Sequence, residues 1–362
     1  MLARQDGGRP RLSNERYRVR EACRGAEERY GLRRTAPGDR TAARRPTRVE
    51  NEKTRRNGRA ETPRVTLRRA VSTAAAGASS EAEFFARLAD ARVLVRQRRS
   101  TRNPGEITGY AVALPGDTAR GGGPVWFGGG KLAADLTWPK LRSRWEPART
   151  QPGGPFTSQE RNAIWEHAGR TAADASAHIR SLAGTSPGSA ADAAWATADT
   201  LHAAAAALGS RVLRQAADSY DRAARPAYGR TPRPTSTGDR LRQTARLLAK
   251  AAAVSGDHMA QLTLITQLAA LAEAVISLRY AQRHAAQAAA ARRAAEHLHA
   301  AARDHRPPAP ARRTRPSAYA GRTRLDFPLP LRLDSRLPTA PDTSPATRPG
   351  PRSPRRPRGP TR

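Results

Sequence analysis

Apolar positions change period several times along the chain, and each change marks an element. From Asn14 to Tyr30 the pattern is helical. Ser13 or Asn14 can cap this segment, Gly31 stands where a C′ glycine would, and Tyr17, Cys23, Ala26 and Tyr30 form a weak apolar stripe. A second helix is predicted from about Thr41 to Asn57, ending at Gly58, with almost nothing to bury. Pro63 opens a third, VTLRRAVSTAAA, with Val65, Leu67 and Val71 near one side. Ser79 or Ser80 caps a fourth that holds Phe84, Phe85 and Leu88, and Glu83 follows Ser80 at capping-box spacing. The period then drops to two in VLVRQRR, with Val93 and Val95 alternating, and again in ITGYAVAL, with Ile107, Tyr110, Val112 and Leu114 available for a core. With the Asn103-Pro104-Gly105 turn between them, these runs read as an antiparallel hairpin. A short third strand, PVWFGG, follows a glycine-rich turn, and the segment closes with KLAADL and a short helix around TWPKLRSRW.

Residues 157–305 are alanine-rich helix, with breaks near Pro187-Gly188, Gly209, Pro226 through Pro234, and Gly256. Asp257 to His305 reads as one long helix. Its Leu264, Leu268, Leu271, Val275 and Leu278 keep heptad spacing, and the alanine seam that follows lets a partner helix approach closely. A membrane span from Met259 to Leu278 competes with this. Gln261, Gln267 and Glu273 lie inside it, and charge at that depth is costly in lipid, so packed helix is preferred. From Arg306 to Arg362 the chain is proline and arginine without periodicity, and is expected to be a disordered basic tail. The predicted fold is an α+β N-terminal module, with a short antiparallel sheet and helices, followed by an alanine-rich all-α region and the tail, mostly α overall. The segments are 1–61 (basic and helical), 62–146 (the small α+β module), 157–305 and 306–362.

Charge changes this picture most. The 362 residues carry 65 basic and 31 acidic side chains, a formal net charge of +34. That points to a polyanionic partner, nucleic acid first and an anionic membrane surface second. Lysine occurs only at Lys53, Lys131, Lys140 and Lys250, so the basic residues are almost all arginine, as a GC-rich coding sequence favours. Codon bias does not remove acidic residues, so the imbalance still calls for a partner. A single cysteine, Cys23, excludes an intramolecular disulfide framework and any multi-cysteine zinc site, and reads as a small buried apolar residue rather than a nucleophile. The N-terminal stretch MLARQDGGRPRL has no apolar core of a secretory signal, so a cytoplasmic location is expected.

Candidate chemistry is sparse apart from the arginines. His297 and His299 form an H-x-H pair, but on a helix positions i and i+2 diverge, so a solvated face is the better reading than a metal site. GGGPVWFGGGK superficially resembles a phosphate loop. Leu132 stands after Lys131 where serine or threonine is needed, so a tight hairpin turn is the better reading. The basic patches lie in separate elements of one region. Candidate nucleic-acid-binding residues are Arg44, Arg45, Arg48, Arg55 and Arg56 on the second helix, Arg68 and Arg69 on the third, Arg96, Arg98 and Arg99 on the hairpin, and Lys131, Lys140, Arg142 and Arg144 beyond it. Arginines neutralise phosphates, and Tyr110, Trp126, Phe127 and Trp138 between the patches offer faces on which bases stack, although Tyr110 and Phe127 read first as core.

Four stretches, ARQDGGRPRLSNERYRVREACRGAEERYGL, DRTAARRPTR, TLRRAVSTAAAGASSEAEFFARL and STRNPGEITGYAVALPG…GGPVWFGGGKLAADLTWPKLRSRW, together covering about residues 1–146, resemble the region that follows the metal site in relaxases, the mobilisation nucleases of GC-rich bacterial mobile elements. ADAAWATADTLHAAA and RYAQRHAAQAAAARRAAEHLHAAA look like the C-terminal extension of the same proteins. Relaxases cut one strand at a transfer origin, with a tyrosine nucleophile near the N-terminus and a histidine-bound divalent metal. The resemblance places that tyrosine and those histidines upstream of Met1. Asp6 and Gly7 match the family's DG pair, and neither Tyr17 nor Tyr30 takes the nucleophile's role. What the resemblance implies is a truncated relaxase-like mobilisation protein without catalytic residues, metal ligands or cofactor. Its expected partners are transfer-origin or single-stranded DNA and, through the helical region, another mobilisation or coupling protein, with no membrane. Alternatives are an active relaxase whose start lies further upstream, and a generic basic nucleic-acid-binding protein.

Overall fold

The structure, a computed structural model, describes residues 15–32, 39–119, 121–145, 156–251 and 257–305. Asp6-Gly7, Ser13, Asn14, Gly256 and the tail from Arg306 onward lie outside these residues. The chain divides into a unit of Met1–Pro307 and a second unit of Pro308–Arg362, the latter wholly outside the described residues.

The first unit opens on α1 (Glu15–Arg29), after which Gly31 turns at φ +61. Of the weak stripe, Tyr30 stays 67% exposed, and Cys23 is exposed rather than a core residue. A few small groups among so many charges remove too little apolar area from water to hold a helix face down.

The second helix, α2 (Arg48–Arg56), is shorter than the pattern predicts. Pro46 restricts Arg45 to extended backbone, so the helix cannot run through them. Thr47 starts it with a reciprocal capping box: its hydroxyl accepts from the Glu50 amide at 3.2 Å, and its own amide donates to the Glu50 carboxylate at 2.7 Å.

Proline at the first helical position begins α3 (Pro63–Gly77), and Ser80 caps α4 (Glu81–Asp90) by accepting from the Glu83 amide at 3.2 Å. The Glu83 carboxylate turns back to Ser79, whose amide and hydroxyl donate to it at 2.9 and 2.7 Å. A three-stranded antiparallel sheet follows, in the order β1 (Leu94–Arg99), β2 (Ile107–Ala113), β3 (Phe127–Gly128). The glycine-rich stretch before β3 is a tight turn closed by a Thr118–Pro124 bridge, with Gly122 at φ +85. Two short helices, α5 (Gly129–Leu132) and α6 (Trp138–Arg142), complete the module. Only glycine fits at Gly129, where a Cβ would sit 2.0 Å from the Leu136 carbonyl oxygen. The core gathers Leu67, Val71, Leu88, Val112, Leu132 and Leu141 around a ring cluster of Phe84, Phe85, Tyr110, Trp138 and Trp145.

Six helices build the second core: α7 (Ser158–Ala183), α8 (Ala191–Ala207), α9 (Arg211–Ala224), α10 (Ser236–Ala251), α11 (His258–Ala281) and α12 (Ala285–Asp304). The predicted single helix from Asp257 to His305 is two. The chain reverses at Arg283, φ +59, and α12 packs back against α11 and α9. The reversal lets the alanine face of α12 join α7 in covering α11, whose Leu264, Leu268, Leu271, Val275 and Leu278 are all fully buried. Among the described residues α11 alone is long and apolar enough to cross a membrane, and 56% of its apolar window is buried inside this fold. The α+β module leans on the helices through α3, which packs against α8 and α10.

Candidate nucleic-acid interface

Three of the predicted arginines hold the two cores together. Arg144 is buried. Its guanidinium donates to Asp199 on α8 at 2.8 Å and to Asp135 at 3.1 Å, and lies 4.5 Å over the Trp195 ring. Arg69 spans from Glu61 to Asp218 on α9, and Arg68 comes within 3.9 Å of Asp221 on the same helix. Their charges are already matched, so none is available to a phosphate. The two carboxylates beside Arg69 hold its pKa above the usual arginine value against the pull of burial. Lys140 donates to the Ala134 carbonyl at 2.8 Å. Burial lowers its pKa, with the positive charges of Arg144 and Arg225 behind it, and Asp135 opposes both. Arg142, more exposed, pairs with Glu81 at 3.0 Å.

The same contact buries His202, whose Nε2 lies 2.9 Å from Asp221. Burial alone would lower the His202 pKa, but the charge and hydrogen bond of Asp221, with Asp218 and Asp199 nearby, raise it above the ordinary value. For Asp221, burial is outweighed by Arg225, His202 and Arg68, and its pKa falls. A raised histidine contributes stability that is complete below its unfolded value, about 6.5, and is lost as pH rises through the folded value. The lowered aspartate contributes above about 3.9 and is lost as pH falls below it. The stability cost of His202→Gln is therefore expected to be largest between about pH 4 and 6.5 and to shrink on the alkaline side, as thermal melts across pH would show. A cost independent of pH would mean that His202 is neutral in the fold.

The remaining cations face water. Arg44, Arg45, Arg55 and Arg56 are exposed and make no ion pair with a described residue, and Arg48 forms only an exposed pair with Glu52. Arg64 joins this stretch to the sheet module: it chelates Glu50 on α2 and donates to the Lys131 carbonyl at 2.9 Å.

Beyond that carbonyl opens a groove of about 720 Å³ along β2, within the size range of ligand sites. The pairing of Arg96 with Ala111 and Arg98 with Gly109, read with strand alternation, sets these four on one face of the sheet, while Tyr110 and Val112 point into the core. Ala111 pairs in turn with Gly128. The floor is therefore glycine and alanine, edged by Thr108, whose hydroxyl accepts from Arg98 Nε at 3.3 Å. Arg98 lies flat across Gly109, where a Cβ would meet its Nη2 at 3.0 Å. Arg96 stacks its guanidinium 4.5 Å from the centre of the Trp126 ring. Because β3 pairs only with Ala111 and Val112, Thr108 to Tyr110 extend past its end, and Gly130, Lys131 and Thr137 face them from the α5–α6 segment. Among the described residues no carboxylate lines the groove. Arg99, on the opposite face, donates to the Pro104 carbonyl at 3.2 Å.

Sequence reasoning singled out Arg96, Arg98, Lys131 and Trp126 but missed the floor. The signal was there: Gly109 and Ala111 alternate with Tyr110 and Val112.

Among the described residues no group of three or more histidine, cysteine, aspartate or glutamate side chains is placed to hold a metal ion. His299 pairs with Glu273 at 2.9 Å. Compared with protein-family models, curated proteins and solved structures, the chain shows no match.

Proposed function

We propose that this chain is a cytoplasmic DNA-binding protein of a relaxase-like mobilisation system, which holds origin DNA or its displaced strand without cutting it. The observation that carries the reading is the carboxylate-free groove of Arg96, Arg98 and Lys131, joined through Arg64 to the exposed arginines of 44–56. Cations without a carboxylate partner neutralise phosphates at no cost to existing ion pairs. The resemblance of residues 1–146 to relaxases supplies the biological setting, and in the same reading the helices of 157–305 dock a second mobilisation or coupling protein. No histidine precedes His167, and nothing in this reading calls for a metal or cofactor.

The test is purified protein with Mg²⁺ or Mn²⁺ and an origin oligonucleotide, resolved on a denaturing gel. The expected outcome is binding with no covalent protein–DNA adduct. An adduct that disappears in Tyr17→Phe or Tyr30→Phe would overturn the non-cutting reading in favour of a strand transferase. Equal affinity for origin and scrambled sequence would move the protein to the generic binders.

A further inference from the structure

The groove has a feature that phosphate neutralisation does not require. Its floor is low because the central strand presents Gly109 and Ala111 there, with Thr108 at the margin under Arg98, and its wall is the partly exposed indole of Trp126. Small residues under an aromatic plane leave a slot the thickness of another flat group. One flat group occupies it already: the Arg96 guanidinium, 4.5 Å from the indole centroid. Arginine over tryptophan is held weakly at an exposed site, by about 0.5–1 kcal/mol, and so is readily displaced. Arg98 and Lys131 also line the groove, and both are exposed.

We infer that this slot binds one unstacked nucleobase of a single strand, with Trp126 as its stacking platform, Arg96 leaving the indole face for a neighbouring phosphate, and Arg98 and Lys131 taking the flanking phosphates. The inference rests on the DNA-binding reading and deepens it by naming the form of nucleic acid the groove accepts. A paired base is stacked on both faces and cannot enter, so the slot selects strands whose bases are free. Gly109 and Ala111 give a base edge no side-chain hydrogen bond, and the Thr108 hydroxyl beside them already accepts from Arg98 Nε and donates to the Arg98 carbonyl. The preference is therefore for an unpaired base of any kind rather than for a sequence.

The experiment measures binding of the full chain to three probes of equal length: oligothymidylate, an abasic strand with the same phosphates, and a blunt duplex. Stacking on an aromatic side chain predicts that oligothymidylate binds about 5- to 150-fold more tightly than the abasic strand. Trp126→Ala should remove that difference while leaving the affinity for the abasic strand unchanged, and Trp126→Phe should restore most of it. Trp126 lies outside the core cluster, so both variants should keep the thermal transition of the parent. The comparison of probes on the unmodified protein needs no variant at all. Equal binding of the thymidylate and abasic strands, a preference that survives Trp126→Ala, or tighter binding of the duplex would overturn the slot. Failure to bind any of the three would overturn the DNA-binding reading instead.

Discussion

Replacing Arg225 with alanine is expected to cost the folded state about 3–5 kcal/mol, the range for removing one partner of a buried ion pair. Arg225 follows α9 and is 3% exposed. Its Nε donates to Asp135 at 2.5 Å, one Nη to Asp221 at 2.9 Å and the other to the Thr41 carbonyl at 3.0 Å. Asp135 belongs to the sheet module and is shared with Arg144, which continues to Asp199 on α8. Without Arg225, two buried carboxylates face each other with part of their compensation gone, Asp135 keeping Arg144 and Asp221 keeping His202 and Arg68, and the Thr41 carbonyl loses the Arg225 donor. Denaturant unfolding followed by circular dichroism measures the loss, and the α+β module should detach before the helices melt, since Asp135 is one of its points of attachment. Arg225→Lys should recover only part of the stability, because an ammonium cannot reach both carboxylates in the planar fork that guanidinium provides. A cost below about 1 kcal/mol, the level of an exposed pair, would show that water reaches these charges.

That network also explains which parts of the molecule could be read from the sequence. Elements set by their own residues were legible. Pro63 at the start of α3, Ser80 before α4, the alternation of Tyr110 with Val112 and the heptad seam of α11 all act within one or two turns of chain. Features decided by distant partners were not. Arg144 and Arg96 look alike as members of charge runs. One is buried because Asp135 and Asp199, far apart in sequence, converge on it, and the other stays on an open face where no carboxylate of the described residues arrives. The reversal at Arg283 follows from the apolar face that α12 must help cover, and no glycine or proline marks it. Cys23 was assigned to a core by residue type, but the helix that carries it presents too little apolar surface to be drawn into one. For the candidate site, the cations and Trp126 were visible as residue types, whereas the sorting of free cations from matched ones needed the fold.

That sorting sets the largest effect expected in solution. If about six phosphates are neutralised, a number within reach of the exposed cations in 44–56 and the groove, the logarithm of the association constant should fall with the logarithm of salt with a slope of about −4 on a single strand and about −5 on a duplex, and affinity should drop about 300-fold and about a thousandfold respectively between 50 and 200 mM. Arg44, Arg45, Arg55 and Arg56 have no ion pair with a described residue to break, and the Arg48–Glu52 pair is exposed and weak. Changing all five arginines to alanine should therefore weaken binding at low salt and flatten the slope by about one for each phosphate no longer neutralised. The thermal transition of the sheet module should be unaffected, since its core draws on none of them. Arg68→Ala and Arg69→Ala should do the reverse: lower stability through Asp221, Glu61 and Asp218, and leave the salt slope unchanged. A salt profile that is flat in the parent protein would remove the electrostatic basis of binding. A slope lowered by the Arg68 and Arg69 changes, with the five-arginine variant unaffected, would mean that the junction between the two cores opens and that the true interface lies inside it.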